Sequence, residues 1–128
     1  SVPDNIRCII FEGPMEHPLI TTELMMPILG IVRAKDFDDA VEKAVWLEHG
    51  NRHSAHIHSK NIDNITKYAR AIDTAILVKN APSYAAIGFG GEGFCTFTIA
   101  SRTGEGLTSA STFTKRRRCV MSDSLCIR

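Results

Sequence analysis

Short, continuous apolar runs alternate with longer stretches of helical period through the first eighty residues. Cys8-Ile9-Ile10-Phe11, ended by Gly13-Pro14, predicts a buried strand. Pro27 opens a second run, Ile28-Leu29-Gly30-Ile31-Val32, and proline is tolerated at the first position of a strand. Asp36 then predicts a helix cap. Phe37, Val41, Ala44, Val45 and Trp46 form the apolar side of that helix, and Gly50 stands just past its end. Ala55-His56-Ile57-His58 is strand-like. Ser59 or Asn61 begins another helix, with Ile62, Ile65, Ala69 and Ile72 at helical spacing. Ala75-Ile76-Leu77-Val78 predicts a third buried strand in residues 27–80. Strand, helix, strand, helix, strand in this rhythm implies right-handed crossovers and one parallel sheet, an α/β fold.

The texture changes after Asn80. Residues 81–93 are rich in Gly, Ala, Pro and Ser and predict a long loop, of the kind that is often functional. Phe94 to Ala100 alternates like a strand, and Thr103-Gly104-Glu105-Gly106 predicts a turn. Thr112 to Met121 alternates again, but through Lys115-Arg116-Arg117-Arg118, which suits an edge or subunit-bridging arm better than a core strand. The chain thus divides into an α/β part, residues 1–93, and a strand-rich tail, residues 94–128.

Composition narrows the class. With 128 residues, 44% hydrophobic and 23% charged, the chain is globular and able to bury roughly two-thirds of its unfolded surface. A net charge of +1 favours neither a nucleic-acid nor a membrane-surface partner. No apolar run approaches the roughly 20 residues that span a bilayer. Ser1 to Asn5 is polar and lacks the basic start of a signal peptide. The start at Ser1, with no methionine and close to a strand-like run, reads as a cut from something longer. Cys8, Cys95, Cys119 and Cys126 form no C-x-x-C pair. Cys8 and Cys119 lie in strand-like runs where reduced thiols act as small hydrophobes, so a reducing cytoplasmic setting is expected.

Several residues invite chemistry. Gly88-Phe89-Gly90-Gly91-Glu92-Gly93 matches G-x-G-x-x-G, but a dinucleotide fingerprint must follow a strand directly and open a helix. Neither condition is met, and a loop whose backbone approaches a ligand or another chain is the better reading. His49, His53, His56 and His58 suggest a metal, yet no Asp, Glu or Cys joins them at a zinc-like spacing, and no metal is expected. His49 suits a helix C-terminus, where it complements the dipole. Cys119 follows three arginines that would favour thiolate if they faced it, but on an alternating strand Arg118 points away. Cys95 has no charged neighbour closer than Glu92, so both read as structural. Lys115–Arg118 could meet phosphate, including that of coenzyme A, or keep an edge soluble. Glu23, directly before a strand and among apolar residues, needs hydrogen-bond donors, and spacing alone leaves open whether protein or ligand supplies them.

His17-Pro18-Leu19, followed by Glu23-Leu24-Met25-Met26-Pro27-Ile28-Leu29, resembles the aldehyde dehydrogenase superfamily in its coenzyme A-acylating branch. Further blocks run in the same order: Glu48-His49-Gly50-Asn51-Arg52-His53, His58-Ser59-Lys60-Asn61, Val78-Lys79-Asn80, Gly90-Gly91-Glu92-Gly93, Thr103 to Ala110, and Arg116-Arg117-Arg118-Cys119-Val120. The likeness covers nearly all of residues 7–128. It resembles the ethanolamine- and propanediol-utilisation enzymes and the aldehyde dehydrogenase half of aldehyde–alcohol dehydrogenases.

The resemblance implies a reaction of a small aldehyde, NAD and coenzyme A giving acyl-coenzyme A and NADH through a cysteine thioester. Sulfur suits both steps, as nucleophile and as leaving group. It implies that Glu23 hydrogen-bonds the ribose beside the nicotinamide and that Phe89 borders the aldehyde pocket. Met25-Met26 stand where the wider superfamily has Phe-Gly. The family's nucleophile and Rossmann domain fall upstream of the matching region, so no catalytic residue is expected in this chain, which alone would be inactive. The strand around Arg116–Met121 would belong to an arm joining subunits of a homo-oligomer. The implied setting is the bacterial cytoplasm, or a microcompartment within it. The alternative is a non-catalytic oligomerisation or regulatory module derived from such an enzyme.

Overall fold

The computed structural model describes residues 3–96, 99–100, 106–120 and 122. Strand β1 (Ile9–Glu12) lies parallel to β2 (Ile28–Ile31), with Ile9 opposite Ile28 and Glu12 opposite Ile31. Between them sits a single helical turn, α1 (Pro18–Thr21). His17 caps it, its Nδ1 accepting the Leu19 N–H at 3.1 Å, and Pro18 occupies the first position, where a missing N–H costs nothing. Helix α2 (Phe37–Glu48) starts where expected, the Asp36 carboxylate accepting the Asp39 N–H at 2.9 Å. Strand β3 (Ser54–Ile57), helix α3 (Ile62–Ile72) and strand β4 (Ile76–Lys79) form a parallel crossover unit, with Ser54 opposite Ile76. Asn61 is the α3 cap and accepts from both Asp63 and Asn64.

The expectation of a single sheet over residues 27–80 is corrected. β2 pairs with β1, β3 pairs with β4, and these are separate two-stranded sheets joined by α2. Hydrophobic period identifies strands and helices but carries no information on which strands become neighbours. Burial is corrected in the same way. A continuous apolar run describes a strand covered on both faces. Here only one face of β1–β2 is covered, and Ile10, Leu29 and Ile31 lie exposed on the other. Cys8 falls just outside β1 and is exposed, as are Cys95 and Cys119, so none acts as a buried small hydrophobe. Cys126 lies outside the described residues.

The core is small and sits between α2, α3 and β3. Val41, Ala55, Ile57, Tyr68 and Ile72 are buried together, with Phe37, Ala44 and Ile65 packed against them. Burial raises the Tyr68 phenol above its ordinary pKa, with the Glu48 charge adding to the effect. On the far side of the β3–β4 pair, Val78 and Ala85 are buried.

The tail departs most from expectation. Among the described residues its ladder is one short antiparallel pair, β5 (Ile99–Ala100) with β6 (Gly106–Leu107). Residues 94–96 are irregular, and 97–98 and the turn residues Thr103–Glu105 lie outside the described residues. Thr112 to Val120 is not a strand. Ala110–Phe113 is a 3-10 turn, residues 115–120 have no regular structure, and Met121 is outside the described residues. A strand rich in Lys and Arg has no apolar face to anchor it and needs another backbone alongside.

Candidate functional site

Glu23 lies in the segment between α1 and β2 and is exposed. It borders two cavities. One, of about 630 Å³, lies between α1, β2 and α2 and is lined by Leu24, Met25, Met26 and Leu47 among others. The second, of about 570 Å³, is shared with Thr21, Thr22, Glu48, His49, His53 and Ser54. Met25, in the lining of the first, has φ +50° and is 89% exposed. No protein donor among the described residues reaches the Glu23 carboxylate, which leaves its oxygens available to accept from a ligand's hydroxyls.

The far wall of the second cavity is an unusual turn after α2. His49, Gly50 and Arg52 all have positive φ, at +56°, +75° and +53°. Two non-glycine residues in that region within four positions require compensating contacts. Glu48 supplies them, its carboxylate accepting from the backbone N–H of Arg52 and, at 3.3 Å, of His53. Arg52 also pairs with Asp73, and Asn51 Nδ2 donates to Glu48 O at 3.0 Å. The turn thereby fixes the His49 ring. That ring rests on Trp46, centroids 5.5 Å apart, and its Nε2 lies 3.2 Å from Thr21 O, two residues before Glu23. From the sequence, His49 reads as a candidate metal ligand or as a complement to the helix dipole, and neither reading includes this contact. The Glu48-His49-Gly50-Asn51-Arg52-His53 block was the available signal, since Glu with several turn-formers in six residues marks a backbone needing local hydrogen bonds.

Phe89 stands elsewhere. It is 79% exposed at the mouth of an apolar cavity of about 500 Å³ lined by Tyr84, Ile87, Gly88, Cys95 and Thr96. This cavity shares no lining residue with either cavity at Glu23, so the chain does not bring its two candidate site residues together. A 3-10 helix, Ser83–Ile87, carries the loop and ends at Gly88. Ser83 Oγ lies 2.9 Å from His56 Nε2, which ties the helix to β3. The glycine run folds back on this helix. A Cβ on Gly91 would lie 2.8 Å from Ala85 O, and one on Gly93 would overlap Ala86 O. The close approach expected of this loop is therefore to its own chain.

Elsewhere the resembling blocks explain one another. Asn80 Oδ1 accepts from Ser59 N at 2.8 Å, and Asn80 Nδ2 donates to Ser59 O at 2.9 Å, clasping the ends of β3 and β4. Cys8, Cys95 and Cys119 are free thiols with no histidine or lysine partner among the described residues. Among those residues, too, no three His, Cys, Asp or Glu side chains gather as a metal site would require, and no helix is long and apolar enough to cross a membrane.

Residues 6–114 match the model of the aldehyde dehydrogenase family. The chain is 51% identical to an acetylating acetaldehyde dehydrogenase of Salmonella typhimurium, over 97% of its own length and 27% of that protein's. A propionaldehyde dehydrogenase from the fucose-utilisation microcompartment of Clostridium phytofermentans is 91% identical. It superposes with a TM-score of 0.90 over 100% of this chain and 29% of its own. The propionaldehyde dehydrogenase of Rhodopseudomonas palustris, solved with coenzyme A bound and an acylated cysteine, is 55% identical. Its TM-score is 0.87, over 94% of this chain and 28% of its own. The chain thus spans little more than a quarter of the length of these relatives.

Proposed function

Because the chain belongs to the aldehyde dehydrogenase family, we propose that it forms part of an enzyme converting a small aldehyde, NAD and coenzyme A to acyl-coenzyme A and NADH. The observation that carries this reading is identity above 50% over nearly the whole chain to an acetylating relative, with Glu23 open at a cavity edge. In this reading the nucleophilic cysteine and the nucleotide domain are contributed by residues outside this chain.

The chemistry of Glu23 fits a nicotinamide cofactor. An ionised carboxylate offers acceptors only, and adjacent ribose hydroxyls offer two donors that it can take together. NAD, when bound, supplies the hydride acceptor. Glu23 holds the ribose and so orients the neighbouring ring. Phe89 and its apolar cavity shield the alkyl part of the aldehyde from water. Residues 94–128 form a distinct tail, and the exposed Lys115–Arg118 segment gains its strand by pairing with a neighbouring subunit, which makes the enzyme a homo-oligomer. A bacterial cytoplasmic or microcompartment setting accords with the source of the Clostridium phytofermentans relative.

The test is Glu23→Gln in the full-length enzyme that contains this chain. Loss of charge-assisted hydrogen bonds predicts a rise of roughly ten- to a hundredfold in KM for NAD. KM for coenzyme A should stay unchanged. An unaltered KM for NAD refutes the assignment of Glu23.

A further inference from the structure

We propose that His49 is a positioning residue, tethering the Glu23 segment to the end of α2 and so setting where the carboxylate meets the cofactor. The inference rests on the cofactor reading of Glu23 and adds a residue to it.

Three observations converge. First, Glu23 is poorly held by its own segment. After Thr22 N–H closes α1 on Pro18 O, the next described backbone hydrogen bond is Ile28 N to Met26 O, and the chain between reverses through Met25 at positive φ. A segment with so few internal bonds opens easily unless another element holds it. Second, His49 Nε2 lies 3.2 Å from the carbonyl oxygen of Thr21, the last residue of α1, and so fixes the point from which the Glu23 segment departs. A carbonyl accepts, so the ring nitrogen facing it carries the proton and donates. Third, His49 is prepared for that contact. Its backbone is held at φ +56° by a turn that Glu48 stabilises from within, and its ring is braced on Trp46. Glycine would occupy this backbone position without strain. A histidine there, with its ring braced and its nitrogen on a carbonyl two residues before Glu23, is explained by what the ring holds.

Two substitutions separate the ring from the backbone. His49→Gly keeps the left-handed turn and removes the tether. His49→Gln places an amide N–H near the position of Nε2 and restores a donor. In the full-length enzyme, His49→Gly should raise KM for NAD roughly three- to tenfold, the factor set by one hydrogen bond. It should leave kcat and KM for coenzyme A within about twofold, and His49→Gln should recover most of the loss. Amide exchange at residues 21–24, compared between wild type and His49→Gly, reads the tether independently of the cofactor. Faster exchange in the glycine variant with a raised KM for NAD supports the proposal. Unchanged exchange, or a wild-type KM for NAD in a background where Glu23→Gln raises it, overturns it. If Glu23→Gln leaves KM for NAD unchanged, the cofactor reading fails and the positioning role with it, while the exchange data alone decide whether the tether exists.

Discussion

Glu23 and Gly93 show two ways in which a single residue matters here. Glu23 has no hydrogen-bond partner among the described residues, and its value lies in what it can still accept. Gly93 is committed, because its missing side chain lets the loop lie against Ala86 O. Gly93→Ala should therefore force the loop off the Ser83–Ile87 helix at a cost of about 1–3 kcal/mol. A lowered thermal midpoint and a displaced Phe89 would show it, and an unchanged midpoint would contradict the packing described. Residue chemistry was legible in the sequence to different depths. The apolar neighbours of Glu23 suggest a carboxylate in need of donors, whereas it is exposed and takes none from the described residues; its suggested partner comes through resemblance alone. His49 was missed because a ring that meets a carbonyl 28 positions earlier in the chain leaves no local pattern.

At the scale of elements, capping and period were read well because both are local. Asp36 and Asn61 cap the helices they precede, and three of the four strands read in residues 8–80 moved by a single position. Strand neighbours, the number of covered faces and the tail strand were not read, because each depends on backbone far away in sequence or on another chain. The start of α2 offers a pH test. Asp39 accepts from Lys43 Nζ at 2.7 Å and from Lys35 N at 2.9 Å, and these bonds, Lys43 first, hold its carboxyl below the ordinary range. A depressed folded pKa means a contribution that is present above the unfolded value and lost as pH falls through the folded one. Asp39→Asn should thus lower stability at neutral pH, and the difference from wild type should vanish in strong acid. Urea midpoints measured across that range check it, and a difference independent of pH would count against the bond network.

The whole molecule is a set of parts whose apolar surfaces are only half used. Ile10, Leu29 and Ile31 share an open sheet face, the sheets are two-stranded, and the two candidate site residues face different cavities. Parallel pairs of two strands are rarely stable on their own. This agrees with a chain that spans little more than a quarter of the length of its relatives. The acylating reaction itself is open to direct assay. The direct measurement gives the full-length enzyme propionaldehyde, NAD and coenzyme A, and identifies the product by mass while NADH formation is followed. Propionyl-coenzyme A should form in equal amount to NADH, with little NADH formed when coenzyme A is left out. Free propionate formed at the same rate without coenzyme A would contradict it.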